Sequence, residues 1–313
     1  MLRYVIYTYI CILIVSLWSE INKHTHTAQT QLAEITNRFD DMAKYMKQLC
    51  SAKTSITLLE RNLLSIAYKS AVDSRRSSMR KLRRRNLDVD SAALTSFEDM
   101  IRKEIVTLCS EAISIARDLI EKDEEEPSMS AIERIFLIKM VGDYNRYMGE
   151  FLPKGHPCVN AALQAYSNAM KAAEGIRPSN ATRLGLALNF SVFHLEVLNN
   201  FKEACMIAEG AYNSAGEDLE GLSEKEYRNT SMIMELIGDN IALWKERNNK
   251  EGKCKDRNLK NEGMSTKGDG SSNTYQAQRA SDSIMMHSSP QRKKLARHSS
   301  SDSGSSTPPP IRS

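Results

Sequence analysis

The first 126 residues of this 313-residue chain contain neither proline nor glycine. Turns in β proteins depend on these two residue types, so a stretch of this length without them favours one helix after another. Apolar residues recur at helical spacing in eight blocks, and a break at residues 36–39 divides the first block in two. The sequence therefore predicts an all-α fold with nine helices. The blocks lie near residues 25–50, 57–85, 92–122, 130–151, 157–174, 180–199, 201–215 and 224–246.

Composition divides the chain into three segments. Residues 24–246 carry the helical blocks and form the predicted helical domain. Residues 1–23 form an apolar N-terminal extension, in which the run at 4–18 is shorter than the roughly 20 residues of a membrane span. We interpret this extension as a non-native leader, with a membrane anchor as the alternative. Residues 247–313 are rich in serine, carry 13 basic and six acidic side chains, and are predicted to be a disordered tail.

The distribution of charge and cysteine argues against several classes of function. Without the tail the chain carries a net charge of −3, which argues against a core that binds nucleic acid. The six cysteines are scattered without metal-ligand spacing, and they suit a reducing, cytoplasmic compartment. The acidic run at 123–126 is most simply a solvated loop between helices, and no phosphate loop or catalytic motif is present. We therefore expect no enzyme activity, no cofactor and no bound metal.

Basic residues are spaced seven apart in two of the apolar helical blocks. Lys69 and Arg76 leave one helix face because seven residues are close to two turns, and Lys139 and Arg146 repeat this spacing. Tyr147 follows directly and adds a phenol that can donate to an anion. Arginine forks suit phosphate oxygens, so two such faces can converge on one phosphate. The spacing alone favours solvated basic faces with intramolecular salt bridges, and a phosphate site stays open as the alternative.

Four segments of the chain together resemble the 14-3-3 family, in the family's order and at nearly its spacing. They are RNLLSIAYK at 61–69 followed by RRSS at 75–78, KMVGDYNRY at 139–147, RLGLALNFSVF at 183–193 and DNIALW at 239–244. The resemblance implies an antiparallel nine-helix protomer that pairs into a cup-shaped dimer. It also implies a non-catalytic adaptor, which binds phosphoserine or phosphothreonine segments of client proteins in an amphipathic groove and acts by clamping, masking or bridging them.

The resemblance also implies which residues line the groove, and it shows where this chain departs from the family. Met79 stands where a tryptophan is usual, Gly238 replaces an arginine next to the groove, and residues 81–90 are shorter and more basic than expected. The implied phosphate pocket is Lys69, Arg76, Arg146 and Tyr147 with Lys139 in support; the peptide amides are Asn189 and Asn240, with Glu196 beside them; the apolar wall is Leu188, Val192, Leu236 and Trp244.

The resemblance also implies a dimer face, where this chain again departs from the family. A contact tyrosine of the family has become Phe97, and the usual lysine partner of Asp41 is replaced by Met100. Surface ion pairs contribute under about 1 kcal/mol each, so a dimer remains the expectation. The residues implied at this face are Leu32, Ala33, Arg38, Asp41 and Glu104, together with Ser78, which matches a regulatory phosphorylation site of the family.

The tail suggests a second phosphorylation site. Arg297 lies three residues before Ser300, a spacing that basophilic kinases favour and that resembles the segments bound by the family's grooves. One hypothesis is that phosphorylated Ser300 occupies the protein's own groove and competes with clients, and the alternative is a tail modified without consequence. For the whole chain, the alternative to the adaptor is a helical scaffold that binds proteins without reading phosphate.

Overall fold

The structure, a computed structural model, describes residues 25–84, 90–125 and 127–258. Every regular element in these ranges is an α-helix, which confirms the all-α prediction, and the described part holds nine of them. The N-terminal extension and Ser300 lie outside the described residues. The helices are α1 (25–35), α2 (Phe39–Ser51), α3 (Leu58–Arg84), α4 (Ser91–Glu125), α5 (Ala131–Gly149), α6 (Pro157–Ala172), α7 (Ala181–Glu196), α8 (Phe201–Gly216) and α9 (Glu224–Asn258).

Local sequence signals account for several helix boundaries. The break after α1 falls at Asn37, whose φ of 56° is a left-handed conformation that asparagine tolerates. Helix α5 begins with a capping box, in which Ser130 and Glu133 satisfy each other's backbone N–H groups. Asn180 caps α7 by accepting from the backbone N–H of Thr182 and Arg183.

Helix α5 is the central element of the fold. It packs against α4 and α6 and also contacts α7, so most of its side chains from Ile135 to Met148 are buried. Gly142 allows α6 to approach closely, because a Cβ atom there would lie 2.9 Å from the Tyr166 ring. One apolar core joins α1 to α6, and a second joins α7, α8 and α9. The polar residues on the buried face of α5 are therefore held in place by the helices packed around it.

The structure corrects two boundaries. Helix α4 continues to Glu125, and Asp123 is buried rather than solvated, since its carboxylate accepts the backbone N–H groups of Ser128 and Met129 at 2.8 Å. Helix α9 continues to Asn258, twelve residues beyond the predicted end of the helical domain at 246. Residues 247–258, the first of the segment predicted to be disordered, are thus helical.

None of the helices in the described ranges has both the length and the apolar character needed to cross a membrane. Within the same ranges, histidine, cysteine and acidic side chains do not gather in groups of three or more that could hold a metal ion.

Candidate functional site

Four helices enclose a groove with a cavity of about 190 Å³ at one end. Helices α3 and α5 form a polar wall, and α7 and α9 form an apolar wall opposite. The cavity brings together five of the predicted site residues, namely Lys69, Lys139, Tyr147, Leu188 and Asn189. Further along α7 and α9, Glu196 and Trp244 line a second cavity of about 290 Å³ with Arg247. The two cavities together are lined by seven of the twelve predicted residues.

Arg76 is the most deeply buried cation of the site, with 1% of its surface exposed. Its Nε and Nη2 atoms donate to the two carboxylate oxygens of Glu150 at 3.0 and 2.6 Å, and Nη1 donates to Asp73 at 2.5 Å. Its guanidinium also lies 4.3 Å from the centre of the Tyr147 ring. A guanidinium has five N–H groups, so these three bonds fix its orientation and leave two donors.

Arg146 approaches the same tyrosine ring, with its guanidinium carbon 4.6 Å from the ring centre. Its Nε donates to the Tyr166 hydroxyl at 3.2 Å, whereas its buried Nη1 has no hydrogen-bond acceptor among the residues that the structure describes. The nearest carboxylate oxygen of Glu150 is 3.9 Å away. Burial acts to lower the pKa of Arg146, but Tyr166, Tyr147 and Asp143 outweigh it and raise that pKa well above its ordinary value. The residue is therefore a buried cation with an unused donor.

Asp143 connects the polar residues of the cavity. One of its oxygens accepts from the Tyr166 hydroxyl at 2.6 Å and from the Asn189 amide at 2.7 Å, and the other accepts from the Lys139 ammonium at 2.6 Å. Burial acts to raise the pKa of Asp143, but Lys139 and Arg146 outweigh it and hold that pKa below its ordinary value. The carboxylate is therefore charged at neutral pH, and it positions both Lys139 and Asn189.

The predicted apolar wall is formed mainly by buried side chains. Leu188, Val192 and Trp244 are at most 3% exposed and belong to the core shared by α7, α8 and α9, with Leu236 packed against it. Of these, Leu188 lines the first cavity and Trp244 the second. Asn240 lies on the same face, and its buried amide nitrogen finds no acceptor within the described residues. An unpaired amide in an apolar wall indicates a position where a ligand can accept a hydrogen bond.

Glu196 lies close to the guanidinium groups, but its carboxyl group ionises less readily than an ordinary one. Burial raises the pKa of Glu196 to about 7, although Arg146, Arg76 and Arg80 act in the opposite direction. An acid whose pKa is higher in the folded state lowers stability as the pH rises from its unfolded pKa towards its folded one. At pH 8 Glu196 is ionised and lowers the free energy of unfolding. At pH 4 it is protonated and has no such effect.

Replacing Glu196 by glutamine should consequently stabilise the protein at high pH only. We expect Glu196→Gln to raise the free energy of unfolding by about 1–3 kcal/mol at pH 8 and to leave it nearly unchanged near pH 4. Urea unfolding of both proteins across this pH range measures the difference. The same gain at every pH would contradict the expectation, because the gain would then not come from ionisation.

Sequence reasoning missed the acidic and phenolic residues that hold these cations in place. Asp73, Asp143 and Glu150 are three or four residues from Arg76, Lys139 and Arg146 respectively, the spacing of helical ion pairs. That spacing was a usable signal, although it does not distinguish a buried network from a surface pair. Tyr166 lies on a different helix, and no sequence signal connects it to Asp143.

The residues predicted for a dimer face differ in their exposure. Leu32 is 63% exposed, and Arg38 and Asp41 form an ion pair within the protomer. The Glu104 carboxylate accepts from Arg75 at 2.9 Å. The Ser78 side chain is half-buried and donates to the Ser74 carbonyl at 3.1 Å. Ala33 is buried in the protomer's own core, and its place at a dimer face stays a prediction.

The chain is similar in sequence to the members of one protein family. A family model described as "14-3-3 protein" matches residues 29–245. Over 246 residues the chain is 35% identical to the 14-3-3-like protein GF14 epsilon of Arabidopsis thaliana, covering 75% of this chain and 94% of the relative. It is 38% identical over 232 residues to a 14-3-3 protein homolog of Encephalitozoon cuniculi, covering 70% and 89%. It is also 35% identical over 224 residues to the checkpoint signal transducer rad24 of Schizosaccharomyces pombe, covering 68% and 82%.

Proposed function

The chain belongs to the 14-3-3 family, and from that membership we propose that Lys69, Arg76, Arg146 and Tyr147 hold the phosphoryl group of a client protein. The protein is a non-catalytic adaptor that binds phosphorylated clients, as the members of its family do. What remains to be assigned is the part that each residue of the groove plays in that binding.

The unused donor of Arg146 is the single observation that carries this assignment. A buried N–H group without an acceptor costs about 1–3 kcal/mol, and a phosphate oxygen placed between Arg146 and Arg76 removes that cost. Arg76 contributes its two remaining N–H groups, while Glu150 and Asp73 keep it from turning away. Lys69 and the Tyr147 hydroxyl then complete a shell of charge-assisted bonds around the phosphate.

The opposite wall fixes the backbone of the bound segment. Asn189 is held by Asp143, and the buried Asn240 amide has a free donor, so two amides can meet the carbonyl and N–H groups of an extended chain. Leu188 and Trp244 lie at the two cavities and offer apolar surface to the side chains beside the phosphorylated residue. We assign Lys139 a supporting role through its bond to Asp143, and Val192 and Leu236 a packing role behind the wall.

The direct test compares a phosphoserine peptide with its unphosphorylated twin on the full-length protein. We expect the phosphorylated peptide to bind at least about 100-fold more tightly, since charged hydrogen bonds contribute roughly 1.5–3 kcal/mol each. Equal affinities would overturn the assignment. They would favour the second candidate function, a helical scaffold that binds through apolar faces alone.

We further propose that the protein pairs with a second copy through α1 and α4, since dimerisation is a property of the family. Leu32, Ile35, Phe97 and Met100 are 45–63% exposed on these helices, a concentration of large apolar side chains that argues for a partner surface. The polar centre of this face is Arg75, which pairs with Asp40 of α2 and Glu104 of α4.

Phe97→Glu should therefore shift the protein from dimer to monomer, because it places a charge in an apolar contact. Sedimentation at micromolar concentration measures this shift. Met206→Glu is the matched control, since Met206 is 56% exposed on α8, outside the proposed face. A dimer that survives Phe97→Glu, or dissociates equally with the control, would contradict the assignment.

Two phosphorylation sites and a location complete the proposal. Phosphorylation of Ser78 would add about two negative charges on α3 and loosen the dimer. Phosphorylated Ser300 would occupy the groove as an internal client.

We place the protein in the cytoplasm, because Cys50, Cys109, Cys158 and Cys205 are free and buried thiols, which suit a reducing compartment.

A further inference from the structure

Helix α3 carries a row of arginines that continues beyond the phosphate pocket. Arg76, Arg80 and Arg83 are spaced four and three residues apart, so they leave the same face of the helix. At about 1.5 Å of rise per residue, Arg83 lies roughly 10 Å further along α3 than Arg76. The row follows the groove away from the cavity lined by Lys69.

The arginines at both ends of the row lie against aromatic rings four residues apart. Arg76 lies 4.3 Å from the Tyr147 ring centre, and Arg83 lies 5.5 Å from that of Phe151. A guanidinium stacked on a ring keeps its N–H edges available for an anion. The end of the polar wall therefore repeats, in part, the arrangement found at the phosphate pocket.

The balance of charge differs between the two ends. Arg76 is bound by Asp73 and Glu150, whereas Arg83 is exposed and forms no ion pair within the described residues. Arg80 lies between them along the helix, close enough to Glu196 to oppose the rise that burial causes in the pKa of that carboxyl group. Arg80 and Arg83 thus add positive charge beside Arg76, on the same face of α3.

We propose that Arg80 and Arg83 form a second anion-binding subsite, which reads a second phosphoserine or phosphothreonine on the same client segment. An extended chain advances about 3.3 Å per residue, so the roughly 10 Å between Arg76 and Arg83 corresponds to three residues. The preferred client carries two phosphorylated residues three positions apart. This inference rests on the proposed function, because the first phosphate must occupy the pocket of Arg76 and Arg146.

The test uses four peptides on the full-length protein. One carries a single phosphoserine, two carry a second phosphoserine three residues before or after it, and one carries it six residues away on the better side. We expect one of the three-residue arrangements to bind roughly tenfold more tightly than the singly phosphorylated peptide, and the six-residue spacing to lose most of that gain. The direction that gains affinity reports the polarity of the bound chain.

Arg83→Gln separates the second subsite from general attraction of negative charge. This exposed substitution should abolish the tenfold gain and leave the affinity for the singly phosphorylated peptide unchanged. Lys171→Gln, an equal loss of charge on α6 outside the groove, should keep the gain. No gain with either three-residue peptide, or a gain that survives Arg83→Gln, would overturn the second subsite. Failure of the singly phosphorylated peptide to bind would instead overturn the proposed function.

Discussion

Lys69→Glu should weaken binding of a phosphoserine peptide by at least about 100-fold and leave the protein folded. The substitution replaces a cation at the cavity with an anion that repels the phosphate dianion, and juxtaposed like charges cost several kcal/mol. Lys69 is only half-buried, so the helix can carry the new side chain without disturbing the core. Titration calorimetry of wild-type and variant protein with the same peptide measures the loss.

Lys171→Glu provides the matched control for this charge reversal. It makes the same chemical change on an exposed position of α6, which lines neither cavity of the groove. We expect its affinity for the phosphopeptide to stay within about twofold of wild type, since distant surface charges are screened by salt. Equal losses in the two variants would show that total charge, rather than the Lys69 position, determines binding.

Arg76→Met should lower the free energy of unfolding by about 3–5 kcal/mol. The guanidinium is fully buried and neutralises Glu150 through two hydrogen bonds, so its removal leaves a carboxylate partly buried without its main partner. Chemical denaturation followed by circular dichroism measures the change.

The double variant Arg76→Met/Glu150→Met distinguishes a broken ion pair from a loss of packing. Replacing both partners by apolar side chains removes the unpaired charge, so we expect it to recover most of the stability lost in the single variant. It should still fail to bind phosphopeptide, because it lacks the donors of Arg76. A double variant as unstable as the single one would mean that Arg76 stabilises the fold through packing on Tyr147 rather than through Glu150.

Much of the groove was predictable because helical spacing places residues seven apart on one face. Lys69 and Arg76 on α3, and Lys139 and Arg146 on α5, were identified as facing pairs from spacing, and the resemblance to a known family assigned them to one site. The structure places Lys69 and Lys139 at one cavity and stacks both arginines on Tyr147. That these four side chains bind phosphate remains a prediction for the experiments above.

Errors arose where tertiary contacts changed the environment of a residue. The acidic run ending α4 is typical of a solvated loop, yet Asp123 is buried because two backbone N–H groups turn back to it. The contacts of Asp123 in the folded chain, rather than the composition of the run around it, therefore decide its exposure.

The sequence by itself determined the helical class, nearly all helix boundaries and the positions of the basic residues, because these depend on spacing along the chain. Only the tertiary structure decided which charges are neutralised and which donors stay unused. Asp143 lies on α5, Glu150 is the C-cap of that helix and Tyr166 lies on α6. Their contacts with one another and with Arg76 exist only after α3, α5 and α6 have packed. The state of a buried charge is set by neighbours distant in sequence, and the spacing of residues along one helix does not contain that information.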